Sequence, residues 1–126
     1  MNALEGTITQ ISTDENLALV GVDTPIGEFS VLLLDTPQQD LQVGVRSKVY
    51  FKPTQVLLMA QSPHSCTHNC FASRIAHIQK NTILSLVSLE DGVDVLVATR
   101  AFENLGLCEG DECWWGVSAG DILLES

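Results

Sequence analysis

Residues 2–22 read NALEGTITQISTDENLALVGV, and residues 69–89 read NCFASRIAHIQKNTILSLVSL. Laid over one another at an offset of 67, Asn2 meets Asn69, Ile8 meets Ile75 and Ile11 meets Ile78. Leu17, Leu19 and Val20 meet Leu84, Leu86 and Val87. Past the Asp23–Glu28 turn the offset becomes 66: Val31 meets Val97, Leu41 meets Leu107, Gly44 meets Gly110, and Leu57 and Leu58 meet Leu123 and Leu124. One single-residue indel in a turn reconciles the two offsets, and turns are where indels cost least. The chain is therefore expected to contain one unit written twice: residues 1–60 as a first module, a polar linker over residues 61–68 (QSPHSCTH), and residues 69–126 as a second module.

Within each copy the apolar residues recur every second position, the period of a half-buried strand. Phe29, Val31 and Leu33 form one such set, and Val45, Ser47, Val49 and Phe51 another. In the second copy Val93, Val95 and Val97 alternate likewise, as do Cys113, Trp115 and Val117. Thr24–Gly27 and Glu90–Gly92 stand where hairpin turns belong. The alternation breaks over Thr36–Leu41 and Ala101–Leu107, each followed by a glycine, Gly44 or Gly110, which marks a short helical turn. Five short strands and one helical interruption per copy give an all-β class: two OB-like five-stranded barrel modules, each with a short helical turn. A module of this size buries too little surface to stand well alone, so the copies or whole chains are expected to associate as a homo-oligomer.

The chain has 126 residues, 45% hydrophobic and 17% charged, with a net charge of −10. That surface repels nucleic-acid phosphates, and an anion site would need convergent local donors working against the overall field. The start, MNALEG, lacks the basic and apolar regions of a secretory signal, and there is no apolar run of membrane-spanning length. A cytoplasmic location is expected, with no membrane partner and with Cys66, Cys70, Cys108 and Cys113 reduced. No helix-turn-helix precedes the repeat and Met1 heads it, so this chain alone is not expected to read DNA. No nucleophile elbow, P-loop, dinucleotide loop or HExxH motif is present, and the reading is a binding protein, not an enzyme.

Copy one reads N-x-L-x-G-x-I-x-x-I, a hairpin, then L-x-V-G ahead of V-Y-F-K-P-T-Q-V-L-L; copy two reads N-C-F-x-S-x-I-x-x-I, then L-G-L-C-E-G ahead of W-W-G-V-S-A-G-D-I-L-L. Both resemble the Mop, or TOBE, module, and the tandem resembles a di-Mop molbindin or the ligand-binding half of molybdate-responsive regulators. The resemblance implies storage or sensing of a small oxyanion, molybdate or tungstate, at interfaces between modules or subunits. A tetrahedral dianion there is held by convergent N–H and O–H donors and a few basic side chains. Carried over position by position, the binding residues are Cys66, Thr67, His68 and Asn69 before the first strand of copy two. Ala98 and Ala101, through nearby backbone amides, bracket the start of the helical turn. Lys52 and Ser118 precede the last strand of each copy. Cys66 and His68 replace a serine and an arginine of the family pattern, Ala98 and Ala101 replace hydroxyl residues, and Asp35 stands where copy one should offer a hydroxyl.

His64, Cys66, His68 and Cys70 occupy alternate positions, so an extended chain would point all four ligands one way. That set suits a transition-metal ion such as Zn²⁺, Cu⁺ or Ni²⁺, and is the alternative reading. A purely oligomerising regulatory module is the other. Cys113, aligned with Ser47, is expected in or near the core, because free cysteine behaves as a small hydrophobe. Trp114 and Trp115 should face opposite sides of their strand, and His77 should lie on a strand surface.

Overall fold

The computed structural model describes residues 1–34, 41–66 and 69–125. Ten strands run in order: β1 (Asn2–Asp14), β2 (Leu17–Asp23), β3 (Glu28–Leu34), β4 (Arg46–Phe51), β5 (Leu57–Met59), β6 (Asn69–Lys80), β7 (Leu84–Leu89), β8 (Asp94–Ala98), β9 (Glu112–Val117) and β10 (Leu123–Glu125). One helix, α1 (Thr99–Leu105), follows β8, and single 3-10 turns at Pro53–Gln55 and Ala119–Asp121 precede β5 and β10. The strands form two five-stranded sheets, ordered β10-β4-β1-β2-β3 and β5-β9-β6-β7-β8. Among the described residues no helix is long and apolar enough to cross a membrane.

The two copies repeat in detail. β1 pairs with β2 through Thr7↔Asp23 and Ile8↔Val22, then skips Thr9 before Gln10↔Gly21; β6 pairs with β7 through Ile75↔Leu89, then skips Ala76 before His77↔Ser88. Such a bulge bends a strand and increases its twist, and here it lets one long strand serve two neighbours. On β6, Asn69–Arg74 pair with β9 and Ile75–Lys80 with β7. Beside each bulge the same clasp recurs. Ile8 N–H donates to Val45 O (3.0 Å) and Gly44 N–H to Ile8 O (2.7 Å); Ile75 N–H donates to Asp111 O (3.0 Å) and Gly110 N–H to Ile75 O (2.8 Å). Gly44 and Gly110 have φ of 93° and 89°, a region L side chains avoid, which is why a glycine ends each interrupted segment.

The expected interruption at Ala101–Leu107 is α1, begun two residues earlier and ended by Gly106 in the left-handed conformation, whose N–H donates to Glu103 O. Its counterpart over Thr36–Leu41 lies, except for Leu41, outside the described residues. The strands bury the faces their alternation anticipates. Phe29, Val31, Val49 and Phe51 are buried in one copy, and Val93, Val95, Cys113, Trp115 and Val117 in the other. Ile8 and Ile75, the pair that anchors the repeat, are both at most 1% exposed.

The copies distribute aromatic volume differently. Phe29 and Phe51, 6.0 Å apart, stand at the repeat positions of Val95 and Val117, whereas Trp115, 5.1 Å from Phe71, stands at that of Val49. Each core thus keeps close packing by trading where the large ring sits.

The compact units do not follow the copy boundaries at 1–60, 61–68 and 69–126. One unit consists of Ala3–Phe51 with Ser118–Ser126, the other of Met1–Asn2 with Lys52–Val117. The cause is the last strand of each copy. β5 pairs with β9 through Leu57↔Gly116 and Met59↔Trp114, and β10 pairs with β4 through Leu123↔Tyr50 and Glu125↔Lys48. Alternation identifies a strand, but an edge strand's partner is chosen by ladder geometry that the alternation does not carry.

Candidate functional site

Lys52 heads the first 3-10 turn. Its N–H donates to Gln55 Oε1 at 3.1 Å and Gln55 N–H donates to Lys52 O at 2.9 Å, so the backbone is closed on itself and the side chain is left exposed. This turn packs against β8, the strand that ends at Ala98. Ser118 heads the equivalent turn in the other unit, closed by Asp121 N–H on Ser118 O at 3.0 Å and packed against β3.

Asn69 opens β6. It is half-buried, opposite Val117, and its Nδ2 donates to Val117 O at 3.1 Å. One residue on, Cys70 lies opposite Gly116, whose other neighbour is Leu57. The start of β5 and the start of β6 therefore share one end of the sheet. Thr67 and His68 lie outside the described residues.

Cys66 and Cys70 are joined in a disulfide, with Cα atoms 6.8 Å apart. This corrects two expectations: that these cysteines are reduced, and that the run His64, Cys66, His68, Cys70 offers four metal ligands. A sulfur bound to sulfur has no thiolate to give a metal, and no cluster of three or more potential ligands occurs among the described residues. Cys108 is free and exposed; Cys113 is free and buried, as its alignment with Ser47 suggested. Burial, and then the negative charge of Asp91, push the Cys113 thiol up from 9.0 to about 11. Trp115 is buried and Trp114 half-buried on opposite faces of β9, and His77 is exposed and 3.3 Å from Glu109, both in line with expectation.

Ala98 and Ala101 are exposed at the other end of the sheet. Leu84↔Ala98 and Lys80↔Ser85 place the start of α1 beside the far end of β6, eleven residues from Asn69. At about 3.3 Å per residue that is on the order of 35 Å of strand, bent at its bulge. The fold thus sets the Lys52 turn against β8 but leaves Asn69 and the Ala98–Ala101 stretch at opposite ends of one strand.

Thr99, between them, is the neighbour whose hydroxyl could stand in for the missing donors, but the structure turns it inward, and it is the most heavily bonded hydroxyl of the stretch. Its N–H donates to Ile83 O (2.8 Å), its Oγ1 donates to Asn81 O (2.6 Å), and it shares a 2.8 Å hydrogen bond with the fully buried Ser85 Oγ. These bonds pin the β6–β7 turn to the start of α1. A buried Ser and Thr that satisfy one another avoid the cost of an unpaired hydroxyl. The Ser85 position on the inward face of β7 was the available sequence signal, since a polar residue there needs a partner.

By strand order, shared first strand and interposed helix, the chain is a tandem of OB-like modules in the all-β class. No protein-family model matches the sequence, and no curated protein matches it. Among solved structures it is similar to the cytoplasmic molybdate-binding protein ModG, crystallised with molybdate bound: TM-score 0.88 at 20% sequence identity, over 98% of this chain and 94% of that one.

Proposed function

We propose that this chain binds a small tetrahedral oxyanion of the molybdate or tungstate class in the cytoplasm, for storage or sensing, at sites completed where modules of associated chains meet. The observation that carries the reading is the likeness, over 98% of the chain, to a protein described as binding molybdate. The separation of Asn69 from Ala98–Ala101 supports the interface placement, because one ion cannot reach both ends of β6 within a single unit.

The surface supports association. On β2 and β3, Leu17 and Leu34 are directly opposed and 44% and 60% exposed, with Leu19 on the same face. On β7 and β8, Leu84 is opposed to the exposed Ala98, beside Ile83. Leu17 and Leu84 are repeat partners, so both modules carry an apolar strip at the same place, and adjoining exposed apolar residues favour burial against another surface. Lys52, Ser118, Asn69 and backbone amides near Ala98–Ala101 are the proposed ligands, with Thr67, His68 and the backbone amide of the disulfide-bonded Cys66 completing the set by sequence position.

Titration calorimetry with molybdate, tungstate and sulfate tests this. Saturable binding of molybdate and tungstate is expected, weakened about 10-fold or more in Lys52→Ala, since a charge-assisted hydrogen bond is worth about 1.5–3 kcal/mol. A stable oligomer that takes up neither ion would leave an assembly module in place of a binding protein.

A further inference from the structure

The turn between β6 and β7 and the exposed side of α1 border a wide, open surface cleft of about 600 Å³ lined by Lys80, Asn81, Thr82, Thr99 and Glu103. We propose that this cleft supplies the second module's share of the oxyanion site that associated chains complete, through the Lys80 ammonium, the Asn81 side-chain amide and the Thr82 hydroxyl. The inference rests on the oxyanion reading above and names residues for it beyond those the resemblance supplies.

Three observations carry it. First, the cleft is held in shape by bonds that do not consume its donors. Thr99 bonds to Asn81 and Ile83 through their backbone carbonyls. Among the described residues the Lys80, Asn81 and Thr82 side chains form no ion pair or side-chain hydrogen bond. A tetrahedral anion is recognised by several such donors converging from a fixed backbone.

Second, the cleft adjoins the stretch from which donors have been lost. Ala98 and Ala101 carry no side-chain hydroxyl, and Thr99, next to Ala98, turns its own hydroxyl inward to Asn81 O and Ser85. Donors from the neighbouring turn restore what those positions lack.

Third, the repeat provides an internal comparison. The hairpins superpose in register, Thr13↔Ala18 on Lys80↔Ser85. In the first module Lys80, Asn81 and Thr82 are replaced by Thr13, Asp14 and Glu15. The formal charge at this turn is thus +1 in the second module and −2 in the first, a difference of three, in a chain that is acidic overall. Two carboxylates facing a dianion repel it, whereas one ammonium attracts it, so the two modules are unequal as anion sites. Glu103 sets the limit on affinity: its carboxylate balances Lys80 in the cleft and opposes an anion.

The test is titration calorimetry of the full chain with tungstate and molybdate. Lys80→Thr, Asn81→Asp and Thr82→Glu together write the first module's turn residues into the equivalent positions of the second; circular dichroism and the melting temperature check folding. The triple variant should bind at least 10-fold more weakly, or lose a site from the stoichiometry. Lys80→Ala should weaken binding and Lys80→Arg should retain it, and Glu103→Gln should tighten it several-fold. A triple variant that binds within twofold of the unaltered protein, while Lys52→Ala is impaired, overturns this inference and leaves the oxyanion reading standing. An unaltered chain that binds neither ion overturns both.

Discussion

The indole N–H of Trp115 donates to Asp91 Oδ2 across 3.0 Å, joining the largest side chain of one core to the turn between β7 and β8. Asp91 also accepts from Val93 N–H through Oδ1 at 3.3 Å, so one carboxylate shapes its own turn and satisfies the only polar atom of a fully buried tryptophan side chain. The same charge acts on the Cys113 thiol on β9.

Asp91→Ala should therefore destabilise the fold by about 1–3 kcal/mol, the cost of leaving a buried donor unpaired. Asp91→Asn should cost less, because it keeps an acceptor. It should also bring the Cys113 thiol down, though not to its ordinary value, since burial is the larger cause of the rise. Urea denaturation measures the first effect, and the pH dependence of thiol alkylation measures the second.

Thiol counting tests the sulfur chemistry. Protein purified without reductant should show one fast-reacting thiol when folded, Cys108, and two when unfolded, Cys108 and Cys113, with Cys66 and Cys70 silent. Four thiols on unfolding would contradict the disulfide. The raised Cys113 value also fixes a sign. The folded state holds its proton more tightly than the unfolded one, so the associated stability is complete below pH 9.0 and is lost as pH rises toward about 11. Cys113→Ala should flatten that decline.

Ser47 is the repeat partner of Cys113 and is likewise buried, 5% exposed, but its hydroxyl has no hydrogen-bond partner among the described residues. Ser47→Ala, or Ser47→Cys to copy the other module, should raise stability by roughly 1 kcal/mol by removing an unsatisfied buried polar atom. A lower melting temperature for both variants would show that the hydroxyl is in fact satisfied.

The same pair illustrates how far the sequence could be read. Core positions were legible because burial imposes a period of two that survives exchange of Ser for Cys, or of Val49 for Trp115. The turns at Thr24–Gly27 and Glu90–Gly92 and the helical interruption over Ala101–Leu107 were legible through residues whose backbone preferences are local, although the glycine that ends the helix is Gly106 rather than Gly110. The partners of β5 and β10 were not, because pairing is a long-range choice between equivalent edges. The state of Cys66 and Cys70 was not, because spacing of alternate residues in an extended chain does not foresee a chain that folds back to join them. For the candidate site, position along the chain located Lys52 and Asn69 at strand ends but gave no sign that Asn69 and Ala98 stand at opposite ends of the sheet. The β6–β7 turn went unnoticed because its residues are ordinary turn residues until the fold brings them beside α1.

Native mass spectrometry with tungstate, whose mass makes each bound ion countable, tests the central claim most directly. Tungstate should remain on oligomers of the chain and be absent from the monomer, because the proposed ligands are split between ends that only a second copy can bring together. Tungstate retained by the isolated monomer would contradict the interface placement, and bare oligomers at saturating tungstate would contradict oxyanion binding altogether.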